Sequence, residues 1–345
     1  MAKVSRLSQD TSWRHQDLGG VRPGKSVCVV RYGGFGDVIQ TSSIFPELKR
    51  QGYSITLNTV PKGYEIAEND PHIDEIFIQE HGQVSNDELH DYWHKLESKF
   101  SRIIQLSECV EARLLAVPYQ EKYKFSKEKR HELMNRNYLE EIHQIAEVPF
   151  IPEPKFYPTK SEQRWAKEQR DKLGRNKFVV LWSLSGSSVH KAWPYTDSVI
   201  ANLMLKGAKV VTVGDGACTI LEMGWEKEKN VLRKSGKWNI RKTLAFAETC
   251  DLVIGTETGV LNSVGHSDVA KIVMLSHSTK ENLTKHWKNT VALEPEDCAC
   301  YPCHQLHYSF KHCTRDLYTG GALCASNIGP DKAIAAIEQI MERVA

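Results

Sequence analysis

The stretch Ser26-Val-Cys-Val-Val-Arg-Tyr-Gly-Gly-Phe-Gly-Asp-Val38 decides how the chain is read. The run 26–30 is short and apolar, as a buried strand is, and Gly33, Gly34 and Gly36 make a loop after it. From Val38 to Arg50 the apolar residues Val38, Ile39, Ile44, Phe45 and Leu48 recur at helical spacing until Gly52 stops the run. This is one strand-loop-helix unit, and working outward the pattern repeats. Strands are expected at 54–58, 75–78 and 102–106, with a helix around 62–69; the basic stretch 122–145 should be helical in its second half. Strands alternating with helices predict parallel sheets.

Pro149, Pro152, Pro154 and Pro158 then interrupt regular structure and mark a linker. Beyond them the alternation restarts: helix 161–173, strand 177–182, helix 196–206, strand 208–213, helix 241–249, strand 251–254, strand 270–275 and an amphipathic helix 331–344. The expected organisation is an N-terminal arm (1–25), a Rossmann-like domain (26–150), a linker (151–160), a second Rossmann-like domain (161–295), a cysteine-rich finger (296–327) and a terminal helix (328–345). Doubly wound sheets bind ligands outside the carboxyl ends of their strands, so a cleft between two such domains is the expected site.

Lys+Arg 45 against Asp+Glu 43 leaves a net charge of +2, which argues against non-specific duplex binding by phosphate neutralisation. No window approaches the roughly 18 to 20 apolar residues of a membrane span, and residues 1–30 lack a secretory apolar core, so a cytoplasmic protein is expected. Nine cysteines, an odd number, speak against a secreted disulfide framework.

Three loops carry anion-binding chemistry. Gly33-Gly-Phe-Gly-Asp37 opens a helix, where free N–H groups suit a phosphate or oxyanion. Its spacing is not that of a dinucleotide fingerprint, and no P-loop lysine follows. Asp37 is either a helix cap or a working carboxylate. Ser185-Gly-Ser-Ser-Val-His-Lys-Ala-Trp-Pro194 places hydroxyls, backbone N–H groups and Lys191 together as a diphosphate cradle, or is a surface loop with Pro194 in a first helical turn. Gly255-Thr-Glu-Thr-Gly-Val-Leu-Asn262 follows the strand 251–254 and opens another helix.

Gly36-Asp-Val38 with Thr41-Ser-Ser-Ile-Phe-Pro46, the Lys191-Ala-Trp-Pro194 element and Glu257-Thr-Gly259 after a strand together resemble glycosyltransferase family 9, which includes the ADP-heptose:lipopolysaccharide heptosyltransferases. The resemblance covers residues 26 to 290. It implies a GT-B architecture, a nucleotide-diphosphate sugar held mainly by the second domain, an acceptor held mainly by the first, and inversion at the anomeric carbon without a catalytic metal. By it Asp37 is the catalytic base and Lys191 holds the donor phosphates, with Thr258 and Gly259 meeting the diphosphate. Gly34, Gly36, Ser185, Gly186, Ser187, Trp193, Asp215, Glu257 and Asn262 complete the expected donor set. The chain departs from the family in having Glu257 for the usual aspartate, Asn262 for a histidine, and a glycine loop enlarged by residues 32–35.

Cys300-x2-Cys303-x9-Cys313-x10-Cys324 supplies four thiolates with one tight pair, the architecture of a closed structural Zn or Fe site, while Cys298 is the spare. Free cysteines or a redox pair are the alternative, and His304, His307 and His312 are alternative ligands. A similar finger holds iron in the bacterial autotransporter heptosyltransferases of this family, which form large oligomers; the spacing here is shorter, so the resemblance implies the finger and not the assembly, and a homo-oligomer is a separate partner expectation. Lys124, Arg130 and Arg136 lie in a basic patch with Tyr123 and Phe125, either a solvated helix face or an acceptor site for a saccharide, protein or nucleic acid. Transfer to hydroxymethylated DNA bases, and a non-catalytic binding protein built on the same shell, are the competing functions.

Overall fold

The computed structural model describes residues 3–6, 21–22, 24–80, 82–107, 109–118 and 120–344. It divides into two compact units: residues 1–112 with 138–157, and residues 113–137 with 158–345.

The first unit is built on a five-stranded, all-parallel sheet. Its strands are β1 (Lys3–Arg6), β2 (Ser26–Val30), β3 (Ser54–Thr59), β4 (Glu75–Ile78) and β5 (Arg102–Gln105), in the order β1-β4-β3-β2-β5. Every residue of β2 is buried, which is why its sequence reads as a continuous run without alternation. β1 lies in the segment expected to be an unpatterned arm and pairs with β4 along Lys3–Arg6. The expected helix 38–50 is broken into Phe35–Thr41, a 3-10 turn Ser42–Ile44, and Phe45–Arg50. Ser42 and Ser43 turn their hydroxyls back to the carbonyls of Ile39 and Gln40, and Pro46 has no N–H to continue the ladder.

The second unit carries a six-stranded parallel sheet: β6 (Val179–Ser183), β7 (Lys209–Val213), β8 (Val231–Arg233), β9 (Leu252–Thr256), β10 (Ala270–Met274) and β11 (Thr290–Leu293), ordered β11-β10-β9-β6-β7-β8. The short β8 and β11 were not expected from the sequence. The chain runs from β6 outward through β7 and β8, then returns to lay β9 on the other flank of β6. The switch point of this sheet is therefore the β6/β9 pair, where ligands of doubly wound sheets bind. Helix Lys160–Lys172 starts as its Thr-x-x-Glu signature dictates: Thr159 accepts from the Glu162 N–H, and Glu162 accepts from the Thr159 N–H. The helix Pro330–Val344 buries Ala333, Ile337 and Ile340 against Val199, Leu203 and Ile272. Each buried Ile, Val or Leu side chain among these contributes about 1.5–3 kcal/mol.

Residues 113–137 were expected in the first domain and instead fold with the second unit. Hydrogen bonds explain it: the Ala116 N–H donates to the His304 carbonyl, the Leu306 N–H donates to the Ala116 carbonyl, and the Asn282 side-chain amide donates to the carbonyls of Met134 and Arg136.

Candidate donor site and cysteine cavity

The loops that follow β6 and β9 meet. Ser183 and Thr258 are within hydrogen-bond reach at 3.1 Å, and Thr256 Oγ1 donates to the Lys191 carbonyl at 2.8 Å. Gly186 fits between them: a Cβ there would stand 2.7 Å from the Lys191 side chain and 3.4 Å from that of Thr258, so the loop closes this far only without a side chain. Gly186, Lys191 and Thr258 are thus brought together at the switch point, with Ser185, Ser187 and Gly259 beside them in the same two loops.

Beneath them lies a buried network that sequence reasoning missed. Glu257 is 6% exposed. One carboxylate oxygen accepts from the Ser276 N–H (3.0 Å) and the Ser278 hydroxyl (2.6 Å), the other from the Ser276 hydroxyl (2.8 Å) and His277 Nδ1 (2.8 Å). Burial by itself would raise this carboxyl, but the charge and hydrogen bond of His277, with the charge of Lys191, hold it well below the usual carboxylate range. The only signal in the sequence was Ser276-His-Ser278 directly after a strand. His190 joins through the Ser276 hydroxyl at 2.8 Å, and burial pushes its ring well below the usual histidine range, so the imidazole is neutral. Among the described residues, His190, Glu257 and His277 form a trio of donor atoms within 4.8 Å of one another. The Glu257 oxygens are already saturated with four donors, so the trio is a hydrogen-bond network rather than a metal site.

Three expected donor residues have other roles. Trp193 is 4% exposed, stacks on Trp182 and donates from Nε1 to the Ile328 carbonyl, so it belongs to the core and not to a donor pocket. Asn262 donates back to the Thr258 carbonyl inside its own helix. Asp215 is exposed and accepts from the Cys218 N–H three residues on.

In the first unit Asp37 is the third residue of its helix. Gly34, the cap, donates its N–H to Asp37 Oδ2 at 2.6 Å, and the buried Arg31 donates to Oδ1 at 3.0 Å. Asp37 therefore does carry out the helix-start role. It also keeps one lone pair free on each oxygen, with the side chain one-third exposed. Gly33 sits at φ +114°, and a Cβ on it would stand 2.5 Å from Asp37 Oδ2. Gly34 approaches the same oxygen as cap, and Gly36 lies in the first turn.

The four cysteines gather around one cavity of about 150 Å³, with His190 and His307 also in its wall. Burial pushes the Cys303 thiol up to about 12 and that of Cys313 to about 11, whereas a hydrogen bond from Cys298 lowers Cys300. Cys298 itself is 3.5 Å from Cys300, sulfur to sulfur. The basic patch finds its explanation here. Arg130 is only 8% exposed, donates from Nε to the Cys303 carbonyl at 2.6 Å and reaches the Phe125 carbonyl; Lys127 donates to the Ala299 carbonyl at 2.8 Å. Both line the cavity. Arg130, expected to meet an acceptor, is thus committed to the cysteine segment, while Lys124 and Arg136 are exposed. Among the described residues the sulfurs ring the cavity at wider spacing than the His190 trio. An all-thiolate donor set flanked by two cations nevertheless has the chemistry that a Zn²⁺ or Fe²⁺ ion with several thiolates requires, since that cluster carries net negative charge.

No family model and no curated protein matches the sequence. Solved structures do match. A family 9 glycosyltransferase from Veillonella parvula superposes with a TM-score of 0.65 at 16% identity, covering 92% of this chain and 97% of that one. The E. coli ADP-heptose LPS heptosyltransferase II gives 0.63 at 12% identity, covering 93% and 100%. The chain has the GT-B fold. The iron-containing dodecameric glycosyltransferase TibC from enterotoxigenic E. coli gives 0.60 at 12% identity, covering 94% of this chain and 78% of that one. At these identities the likeness is one of GT-B architecture, in which two Rossmann-like sheets follow one another in the chain. No helix among the described residues is long and apolar enough to cross a membrane.

Proposed function

We propose that this chain is an inverting glycosyltransferase that moves a sugar from a nucleotide-diphosphate donor, ADP-heptose-like, to a hydroxyl of a saccharide, protein or other polymer. The observation that carries this reading is the meeting of the β6 and β9 loops around Lys191 at the switch point of the second sheet, on a fold shared with ADP-heptose enzymes. Lys191 and the N–H groups of Ser187, Thr258 and Gly259 would hold the diphosphate and take up the charge that develops on it as it leaves. The Glu257 network fixes the base of that loop, so the groups meeting the phosphates need not reorganise during the reaction.

Asp37 would accept the proton of the acceptor hydroxyl while that oxygen attacks the anomeric carbon. The new C–O bond forms as the bond to the diphosphate oxygen breaks. Arg31 and the Gly34 N–H hold the carboxylate in place and leave a lone pair for this proton. Replacing a positioned general base typically costs 10²- to 10⁴-fold in rate. Asp37→Ala should therefore lose at least about a hundredfold in kcat while donor binding, followed by calorimetry, persists. Wild-type protein that neither binds nor slowly hydrolyses any ADP-, UDP- or GDP-sugar would end the transferase reading.

Cys300, Cys303, Cys313 and Cys324 would hold a zinc or iron ion. A thiolate-closed ion of this kind supplies folding energy rather than an open coordination position. Its place is to order residues 298–324, and no step of the transfer passes through it.

A further inference from the structure

The cysteine cavity holds nitrogen as well as sulfur. His307 is 4% exposed and lines the cavity wall. Its Nε2 stands 3.9 Å from Cys303 Sγ. Two ligands of one tetrahedral ion, with metal–nitrogen near 2.0–2.1 Å and metal–sulfur near 2.3 Å, are about 3.6 Å apart. The observed separation is a few tenths of an ångström from that distance. A thiol-to-imidazole hydrogen bond would be a weak use of a buried pair, since a thiol is a poor donor.

The other ring nitrogen is occupied in the way a ligand histidine requires. His307 Nδ1 is 2.8 Å from the Tyr123 hydroxyl, with the two rings edge to face. A metal-bound imidazole usually has its distal nitrogen held by such a partner, which fixes tautomer and ring direction. The main chain is pinned too: the His307 carbonyl accepts from the Val189 N–H at 3.0 Å. The neighbouring His304 is not in the cavity wall, and its Nε2 is paired with His131 Nδ1 at 3.0 Å.

We propose that His307 Nε2 and Cys303 Sγ are ligands of the same ion, so that the imidazole takes the place of one of the four thiolates and the centre is a mixed sulfur and nitrogen site, with Tyr123 as the positioning residue of the imidazole. This rests on the reading that the cavity binds a metal. It gives residues 113–137 a reason to fold with the second unit: they deliver Tyr123 to the ligand, and Arg130 and Lys127 to the carbonyls beside it.

The test uses the full chain loaded with Zn²⁺ or Co²⁺ and read by X-ray absorption and the cobalt ligand-field spectrum. Wild-type protein should show one nitrogen among its sulfur ligands. His307→Ala should lose the nitrogen signature and weaken Zn²⁺ binding. His307→Cys should restore tight binding with an all-sulfur spectrum. Tyr123→Phe should keep the shell but weaken Zn²⁺ about ten- to a hundredfold, as loss of an outer-shell partner does. An all-sulfur shell in wild-type protein would overturn the role of His307 while leaving the metal reading intact, and it needs no variant to fold. A nitrogen that persists in His307→Ala and vanishes in His190→Ala would overturn it as well, because His190 is the other buried ring in the wall and its Nε2 has no partner. Protein that takes up no stoichiometric metal would sink both this inference and the metal reading beneath it.

Discussion

Replacing Glu257 by glutamine keeps the volume of the side chain and removes its charge. The four donors that converge on the carboxylate then face one oxygen and one amide NH₂ group. Hydroxyls can turn and accept, so Ser276 and Ser278 adapt. The Ser276 N–H cannot turn, and His277 Nδ1 adapts only by changing tautomer. With the amide oxygen set toward the Ser276 N–H, the NH₂ faces His277 Nδ1, which must change tautomer, and the positive character around Lys191 loses its buried counter-charge. A hydrogen bond to a charged group is worth about 1.5–3 kcal/mol against about 0.5–1.5 kcal/mol for a neutral one, and several bonds lose that charge together. The expected loss is about 3 kcal/mol. In a unit of this size that shifts the melting midpoint by about 6–12 °C, at about 2–4 °C per kcal/mol. Calorimetry at pH 7 with and without nucleoside diphosphate measures it, and donor affinity should fall with stability because the Lys191 loop loses its base. A melting midpoint within 1–2 °C of wild type with donor affinity unchanged would refute the view that this carboxylate anchors the donor loop.

Gly33→Ala should be harmful out of proportion to its size. A side chain at φ +114° costs upward of about 1–3 kcal/mol, and the new Cβ would push Asp37 Oδ2 out of place. Turnover should drop at nearly constant donor affinity, and normal kcat would show that Asp37 is not held for catalysis. Metal affinity should rise with pH, because an ion must displace protons from thiols that burial holds near 11 (Cys313) and 12 (Cys303). Zn²⁺ titrations at pH 6.5 and 8 that gave equal affinity would contradict this. Burial, with the charge of Lys271, lowers His266 to about 4, so the unfolded chain binds more protons between pH 4 and 6.5 and stability should rise with pH across that window. His266→Gln should flatten the rise, as pH-dependent urea midpoints would show. Lys271 is lowered to about 8, chiefly by burial, so its contribution makes stability increase from pH 8 to about 10.5, and Lys271→Met should remove that limb.

Much of this molecule could be read from its pattern, and the parts that could not share a cause. β2, β6, β7, β9 and β10 are fully or almost fully buried, and continuous apolar runs announce such strands. β8 has three residues and β11 is half-buried throughout, so neither writes a strong period into the sequence. The meeting of Ser183, Gly186, Lys191 and Thr258 followed from two loops ending neighbouring parallel strands. The saturation of Glu257 did not, because its partners at 276–278 lie some twenty residues away and only the register of β9 on β10 brings them close. The basic patch was misplaced for a related reason. Charge composition says that Lys127 and Arg130 are cationic, but only tertiary structure shows that their donors are spent on the carbonyls of Ala299 and Cys303.

Because residues 113–137 leave the first unit, join the second, and the chain then returns for 138–157, the polypeptide passes between the units three times. On a ribosome, where synthesis runs from the N-terminus, the first unit cannot close until residue 157 has emerged. The excursion 113–137 must then wait, unpartnered, until the cysteine segment some 170 residues later gives Tyr123 and Arg130 their contacts. A fragment cut at the proline linker would separate that wall from the cavity it completes. The two units are therefore expected to mature together rather than one after the other.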